Sequence, residues 1–578
     1  MSATAIMLLL VPLWPGMLAL TALVLHRRRL GGLFAITGAL PALVVGLFPP
    51  TSQDFFYPWL LLGTQLGVNS ADAVILLFTA VVWLVASSFA FSWMQRDPRR
   101  ERFFVFFLLT MSGNLGAIIA QDMPSFYAFF AVMSFAAYGL IAHENTLKTR
   151  RAARVYIVLV AVGEAALALA MIFAAGMLGA FDFATVRLGL AALPNGDLII
   201  AFALLGFGIK AGVLLLHVWL PLAHPVAPVP ASAVLSGTMI VTGLVGLLRF
   251  LPVGVVALPG WGGLLVAFGL TAAFYGAIVG IDQHNPKVVL AYSSVSQMGI
   301  MTMAIGMILL EPTLAGPLSI AIAFFALHHG LAKSALFLGA GLEKTRMDAD
   351  QRRWLVIGLS LPALALAGAP FTSGMLAKSA LVVAEAAMPE PWGTLLHMLL
   401  PFTSVITALL MARFLVLVAN GPARPGEPVG RAPWIIWCAS LLLVLVLPWW
   451  LSPGPRLPWT LQNIGGSLWP LGLAFIAALI AVRVWRRVGR PAIPEIPQGD
   501  LLLPVERLLV VVRNVALLIS ERISLVYTML GRVAEAERVR AWKFIRHTGR
   551  VEALLERWEV AMFLGVLLGV AFAVVAMR

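Results

Sequence analysis

Runs of about twenty apolar residues follow one another along this 578-residue chain almost without pause. A run of that length matches the hydrocarbon thickness of a bilayer when it is helical. In lipid every backbone N–H and C=O must be satisfied within the protein, which leaves the helix as the fitting form. Hydrophobic residues make up 61% of the sequence and charged residues 11%, with a mean hydropathy of +0.95. Those values exclude the string of soluble domains that length alone would suggest. The expected fold is an all-α polytopic membrane protein. Sixteen spans can be drawn, the first over 4–25, the seventh over 198–220, the twelfth over 354–387 and the last over 559–577.

The net charge of +14 does not point to nucleic acid, because the basic residues sit in short clusters between apolar runs and not on one amphipathic face. Clusters at 27–29, 96–102, 148–154, 344–353, 424–431 and 486–490 nearly all follow odd-numbered spans. By the positive-inside bias these loops face the cytoplasm, which puts the N-terminus outside a prokaryotic cytoplasmic membrane. The first span carries its positive charge after the apolar run and lacks a small-residue cleavage site, so it reads as a retained helix and not as a signal peptide. Cys438 is the one cysteine, which rules out an intrachain disulfide and a cluster held by this chain's thiolates. The sequence therefore gives no cofactor and no metal of its own, and redox chemistry, if any, belongs to partners.

The joint 420–433 and the segment 491–500 are rich in proline and glycine and read as linkers. From Leu501 to about Ile545 charged residues such as Arg507, Arg513, Glu521, Arg522 and Arg540 interrupt apolar positions at roughly helical spacing. A spanning helix there would bury three charges, so a long helix lying along the membrane surface fits better, with an ordinary amphipathic tail as the alternative. The expected organisation is a core over 1–420, peripheral helices over 421–490, a lateral amphipathic helix over 491–557 and an anchoring helix over 558–578.

Two lysines stand inside apolar stretches, Lys210 within 199–220 and Lys378 within 361–387. A lysine at the centre of a spanning helix costs about 2.5 to 3.5 kcal/mol on insertion scales and more by simulation, so each needs a partner or water. Both lie beside helix breakers. The run from Leu220 to Pro230 contains four prolines and is expected to leave the helical state, and Gly368 to Gly374 breaks the other span. Paired interrupted helices some 170 residues apart are what an inverted repeat of a transporter would show, here about 102–250 and 259–419.

Several motifs in order carry a resemblance: Met111 to Gly116 with Gln121, Asp122, Phe126 and Tyr127; Met133, Ser134 and Tyr138; Gly206 to Gly212; His217 to Pro221 with His224 and Pro225; Pro228 to Gly237; Lys287 with Leu290 to Ser294, Met298 and Gly299; and His328, His329 and Lys333 with Leu336 to Gly341. Over about 70–415 the chain resembles the proton-conducting antiporter-like subunits of complex I, membrane-bound hydrogenases and formate hydrogenlyases, and Mrp-type cation/proton antiporters. The resemblance implies about fourteen core helices with broken helices 7 and 12. It also implies a hydrated axis on which protons hop between Lys210, the link formed by His328, His329 and Lys333, and Lys378. Such hopping is physically reasonable, since burial favours the neutral form of an amine and a neighbouring carboxylate favours the charged form.

The sequence departs from the family at two positions. Ala131 stands where the fifth helix usually carries glutamate, and Val241 where the eighth usually carries lysine. Glu164, near the centre of the sixth span, can supply the missing carboxylate to Lys210; pairing with another polar helix or a hydrated cavity position are the alternatives. His217 and His224 flank the break and either relay protons or satisfy freed backbone carbonyls. His329 and Lys333 are four residues apart and share a helix face. Glu144 reads as a solvated interfacial carboxylate, Asp72 and Asp122 as caps or interface residues, and Lys287 and Arg249 as interfacial charges. Glu385 and Arg413 are candidates for the end of the path.

The leading functional expectation is a proton-translocating subunit, moving H+ or else Na+, in a complex I-like or hydrogenase-type assembly of several membrane subunits. The alternatives are a subunit of a Mrp-like antiporter or inorganic-carbon uptake system, and a scaffold whose path closed when the two charges were lost. No nucleotide-binding fingerprint or other catalytic centre was found in the sequence.

Overall fold

A computed structural model describes residues 2–25, 30–50, 54–193, 195–421, 430–451, 461–488 and 496–502, and helices account for most of them. The chain opens with α1 (Ala3–Leu25), α2 (Leu30–Gly38) and α3 (Leu40–Leu47), followed by a hairpin of β1 (Phe55–Tyr57) and β2 (Thr64–Leu66). Then come α4 (Ser70–Trp93), α5 (Arg100–Ile119), α6 (Met123–Ile141), α7 (Leu147–Leu178), the short α8 (Phe183–Leu190) and α9 (Gly196–Ala211). Next are α10 (Trp219–Val226), α11 (Val229–Val234), α12 (Ile240–Phe250), α13 (Pro259–Asp282), α14 (Pro286–Leu310) and α15 (Ala315–Leu342). The described helices end with α16 (Ala349–Ala367), α17 (Ser373–Glu385), α18 (Trp392–Ala419), α19 (Arg431–Trp450) and α20 (Leu461–Val488).

Among the described residues, thirteen segments are long and apolar enough to cross a bilayer, α2 with α3 and α11 with α12 each counting as one. The pairs α9/α10 and α16/α17 occupy the expected seventh and twelfth spans. The span at 559–577 and the lateral helix lie outside the described residues, apart from 496–502. Helix α14 is enclosed on every side, whereas the span in α20 buries 11% of its residues and leaves its apolar surface outward. A helix that is apolar all round belongs either inside a bundle or against lipid, and this chain contains both kinds.

Close helix approach depends on small residues. Gly262, Gly269 and Gly276 recur every seven residues on α13 and meet, on α14, Gly306, Gly299 and the backbone of Tyr292 and Ser296 respectively. A Cβ on Gly269 would stand 2.5 Å from the Gly299 carbonyl, and one on Gly299 would stand 2.6 Å from that of Gly269. Between lipid-like surfaces such backbone contact supplies the dispersion energy that burial alone does not. Gly237 and Gly330 bring α15 equally close to the turn Leu235–Met239, which is a π-helical turn joining α11 to α12.

At one end of the bundle Arg249, expected as an interfacial charge, is buried. Its guanidinium meets Asp72 Oδ1 at 2.9 Å and donates to the carbonyls of Ala117, Ile118 and Ala120 at the C-terminal end of α5. Asp72 closes a capping box with Asn69 at the start of α4, and Asp122 caps α6 through the Ser125 N–H while accepting from Gln65 N–H. Both aspartates are therefore caps, and Arg249 ties the start of α4 to the end of α5. Glu144 is exposed, as a solvated carboxylate should be. Replacing Arg249 by alanine strands a buried carboxylate and three carbonyls, and is expected to cost about 3 to 5 kcal/mol. Thermal unfolding of the full-length protein in detergent checks this, with Arg249→Lys intermediate because one ammonium cannot span the same acceptors.

Candidate functional site

Helix α9 stops at Gly212, whose φ of +67° is left-handed and whose absent Cβ leaves room for Leu220, otherwise 2.3 Å away. The interruption thus runs over 212–218, ahead of the prolines. The expectation that Leu220 to Pro230 is non-helical is corrected: α10 runs through Pro221 and Pro225. Pro221 falls in the first turn of α10, where its missing N–H has no helical acceptor to lose. Leu215, with φ of +73°, is held in the left-handed region within the break, a strain that tends to accompany function.

Lys210, at the last turn of α9, is buried. Its Nζ donates to the Tyr156 hydroxyl at 3.2 Å and lies 5.4 Å from the ring centres of both Phe130 and Tyr156. Tyr156 in turn donates to the Ser134 carbonyl at 2.9 Å. Glu164, also buried, lies beside Ser134, whose hydroxyl donates to the Phe130 carbonyl, and is the carboxylate that acts electrostatically on Lys210 without contacting it as an ion pair. This geometry follows from a glycine contact. Gly206, one turn before Lys210, packs on the Gly163 carbonyl beside Glu164, where a Cβ would come within 2.8 Å. Ser134 lies one turn beyond Ala131, so the α7 carboxylate reaches the neighbourhood where the resemblance would place a glutamate on α6.

On α15, His328, His329 and Lys333 are all buried. The His328 Nδ1 pairs with Ser373 Oγ at 2.8 Å, at the first turn of α17, and Lys333 Nζ donates to the Leu290 carbonyl at 2.7 Å. Ser294 donates to the same carbonyl and pairs with Ser236 Oγ at 2.7 Å, which joins α14 to the π-helical turn. Neither ring nitrogen of His329 has a protein hydrogen-bond partner. Val241 is buried beside Thr242, whose hydroxyl accepts from Asn114.

The second break follows the expected residues. Helix α16 ends at Gly368, with φ of +85°, and α17 begins at Ser373. Lys378 Nζ donates to the carbonyl of Ala367, the last residue of α16, and to Ser404 Oγ at 2.8 Å. Lys287 makes the parallel contact at the first break, donating to the Ala227 carbonyl that closes α10 at 2.8 Å and to Ser232. A cation at a helix C-terminus is favoured by the aligned peptide dipoles and the unpaired carbonyls. Lys287 is consequently a buried member of the site and not the interfacial charge expected from sequence.

The histidines at the first break do not satisfy its carbonyls. Trp219 Nε1 takes the Ile209 carbonyl, and Ser232 takes those of His224 and Ala227. His217 and His224 are buried with no protein hydrogen bond to any of their four ring nitrogens. Buried polar atoms without protein partners require water, and these histidines together with His329, Glu164 Oε2 and Tyr292 Oη make such positions frequent in the middle of the bundle. Glu385 and Arg413, both candidates for the end of the path, have separate partners. Glu385 pairs with His397 at 2.9 Å, whereas Arg413 donates to the Gln283 carbonyl, and sixteen residues of α18 put about 24 Å between His397 and Arg413. Sequence reasoning missed Tyr156, Ser373 and Ser404, which carry no signal apart from their place in the tertiary structure.

The described residues form a multi-pass helical bundle with two interrupted spans and lysines in its interior. A family profile described as "NADH:quinone oxidoreductase/Mrp antiporter, TM" matches residues 120–407. Hydrogenase-4 component B of Escherichia coli is 28% identical over 333 residues, covering 54% of this chain and 50% of the relative. NADH-quinone oxidoreductase subunit L of Mycobacterium tuberculosis is 29% identical over 466 residues, covering 75% of this chain and 72% of the relative. The structure of the Mrp complex from Dietzia sp. DQ12-45-1b contains a chain that superposes with a TM-score of 0.74 at 20% identity, over 94% of this chain and 63% of that one. The chain belongs to the antiporter-like membrane-subunit family shared by complex I, hydrogenases and Mrp antiporters. It spans about half the length of the first of these curated relatives.

Because Gly206 sets the distance between α7 and α9, Gly206→Ala is expected to push Glu164 from Lys210 and to cost about 1 to 3 kcal/mol through overpacking. Thermal unfolding reads the cost, and faster acetylation of Lys210, measured by mass spectrometry, reads the opening.

Proposed function

We propose that the chain is a proton-translocating subunit of a larger membrane assembly and moves protons along Lys210, the His328/His329/Lys333 link and Lys378, with a partner supplying the energy. The observation that carries this reading is the buried Lys210, held by the Tyr156 hydroxyl, with the buried Glu164 acting on it electrostatically. An ammonium and a carboxylate in a low-dielectric interior stabilise one another strongly, and separating them or hydrating one changes which holds a proton. Glu164 thereby restores from α7 what Ala131 removed from α6, and this speaks against a closed scaffold. Lys378 and Lys287, each held by a half-helix carbonyl end, can release that end when neutral and bind it when charged. His217, His224 and the water their unpaired nitrogens demand extend the same chain of proton carriers.

Relatives named as hydrogenase and NADH-quinone oxidoreductase components support an oxidoreductase as the driver. The second reading, a cation/proton antiporter subunit, is favoured by the fold likeness to the Mrp complex. In either case the distribution of basic loops supports an N-terminus on the outer side of a prokaryotic cytoplasmic membrane, and the proposed ion is H+, with Na+ the alternative for the antiporter.

Lys210→Met in the native assembly is expected to abolish proton movement, measured by dye quenching in inverted vesicles, and Glu164→Gln to lower it at least tenfold. Moving the carboxylate back with Ala131→Glu in a Glu164→Ala background is expected to recover a substantial part. If Glu164→Gln transports as well as the unaltered chain, the pair is not part of the path. Purification of the intact assembly followed by mass spectrometry distinguishes oxidoreductase partners from antiporter partners.

A further inference from the structure

After the last described transmembrane helix the chain returns to the bundle. Ile496 N–H donates to Asp282 Oδ2 at 3.0 Å, and the Ile496 carbonyl accepts from Gln283 Nε2 at 3.0 Å, at the end of α13. The Ile496 side chain packs against Tyr275, Val279, Val288 and Tyr292. Gly499 then turns with a φ of +73°, and a Cβ there would stand 3.0 Å from Leu222 of α10. The turn closes through Leu502 N–H to the Gly499 carbonyl at 2.7 Å. Its effect is to aim Asp500 inward. The Asp500 side chain is 8% exposed, and neither carboxyl oxygen has a hydrogen-bond partner.

The group that Asp500 faces is His217, in the stretch between α9 and α10. His217 Nε2 lies 3.7 Å from Asp500 Oδ1 and the imidazole is fully buried. That distance exceeds a hydrogen bond, but a small shift or one bridging water closes it. The other titratable groups packed around the pair are Tyr275 of α13 and Tyr292 of α14, whose rings lie 5.5 and 6.2 Å from the imidazole. A carboxyl sequestered without partners is an expensive placement, and nothing in the packing of the turn requires an acid there.

We propose that Asp500 is a proton-transfer residue that forms an acid–base dyad with His217 at the interrupted helix, so that the arm following the last described transmembrane helix completes the proton path. In the transfer the Asp500 O–H bond breaks as an N–H bond forms at His217 Nε2, leaving carboxylate and imidazolium. The imidazolium releases a proton from Nδ1 to water on its other side, and the carboxylate takes one from water on its own. This inference rests on the proton-translocation reading and adds the C-terminal arm to it.

The test uses the full chain in its native assembly. Asp500→Asn and His217→Gln are each expected to reduce proton movement at least tenfold with unfolding temperature unchanged, and Asp500→Glu to retain most of it. Infrared difference spectra between acidic and neutral pH are expected to lose a carboxyl band in Asp500→Asn, and that band is expected to shift in His217→Gln. If Lys210→Met leaves transport intact, the underlying reading fails and takes the dyad with it. If Lys210→Met stops transport while Asp500→Asn does not, the dyad alone is overturned. A carboxyl band indifferent to His217→Gln, or equal losses in Asp500→Asn and Asp500→Glu with a lowered unfolding temperature, would reduce Asp500 to an anchor of the arm and overturn it as well.

Discussion

The cost of holding a charged amine away from water organises the middle of this molecule. Three compensations meet the buried lysines and the half-buried Lys378: a tyrosine hydroxyl and a nearby carboxylate for Lys210, a backbone carbonyl for Lys333, and the carbonyl end of a half-helix for Lys287 and Lys378. The helix interruptions are part of that compensation. A continuous helix presents no free carbonyl at mid-depth, whereas ending α10 at Ala227 and α16 at Ala367 exposes acceptors where a cation can use them. Gly368 permits the ending of α16, and Gly212 that of α9 at the first break, because each adopts a backbone conformation that disfavours a side chain.

Rigidity and adjustability are divided between different parts of the bundle. The α13/α14 glycine contacts and the Arg249 clamp hold the frame through backbone contact and a satisfied ion pair. The path itself is built from weakly held groups. His217, His224 and His329 have no protein hydrogen bonds, and one oxygen of Glu164 has none. Groups left to water change protonation and orientation with less loss than groups locked into a network, which suits a relay better than a structural core. The π-helical turn at Leu235–Met239 adds a local irregularity where it packs on Gly330 of α15, the residue after His329, and such turns recur at functional sites.

Much of this was legible before any coordinates. The spans within the described residues, the second break at Gly368 to Gly374 and the burial of Lys210 follow from hydropathy and from two residue types with known backbone effects. The first break was misplaced because four prolines outweighed Gly212 in the reading, although Pro221 sits in a first turn that tolerates it. Lys287 and Arg249 were read as interfacial because both lie near span ends, and linear position does not show which neighbouring helix covers an end. Glu385 and Arg413 were both candidates for the end of the path because both lie in or near late spans, and linear position does not show that α18 carries their partners to different places.

Hydropathy, glycine and proline placement and the isolated lysines determined by themselves that the chain is a helical membrane bundle with two interrupted spans and charges in its interior. Those properties are local, since each depends on the transfer energy or backbone freedom of residues adjacent in sequence. Tertiary structure decided which groups meet those charges: Glu164 with Lys210 through the Gly163 and Gly206 contact, Ser373 with His328, and Asp500 beside His217 after a return of nearly three hundred residues. Such partners are chosen by how helices pack at ångström range, and no residue pattern along one strand of sequence encodes that distance.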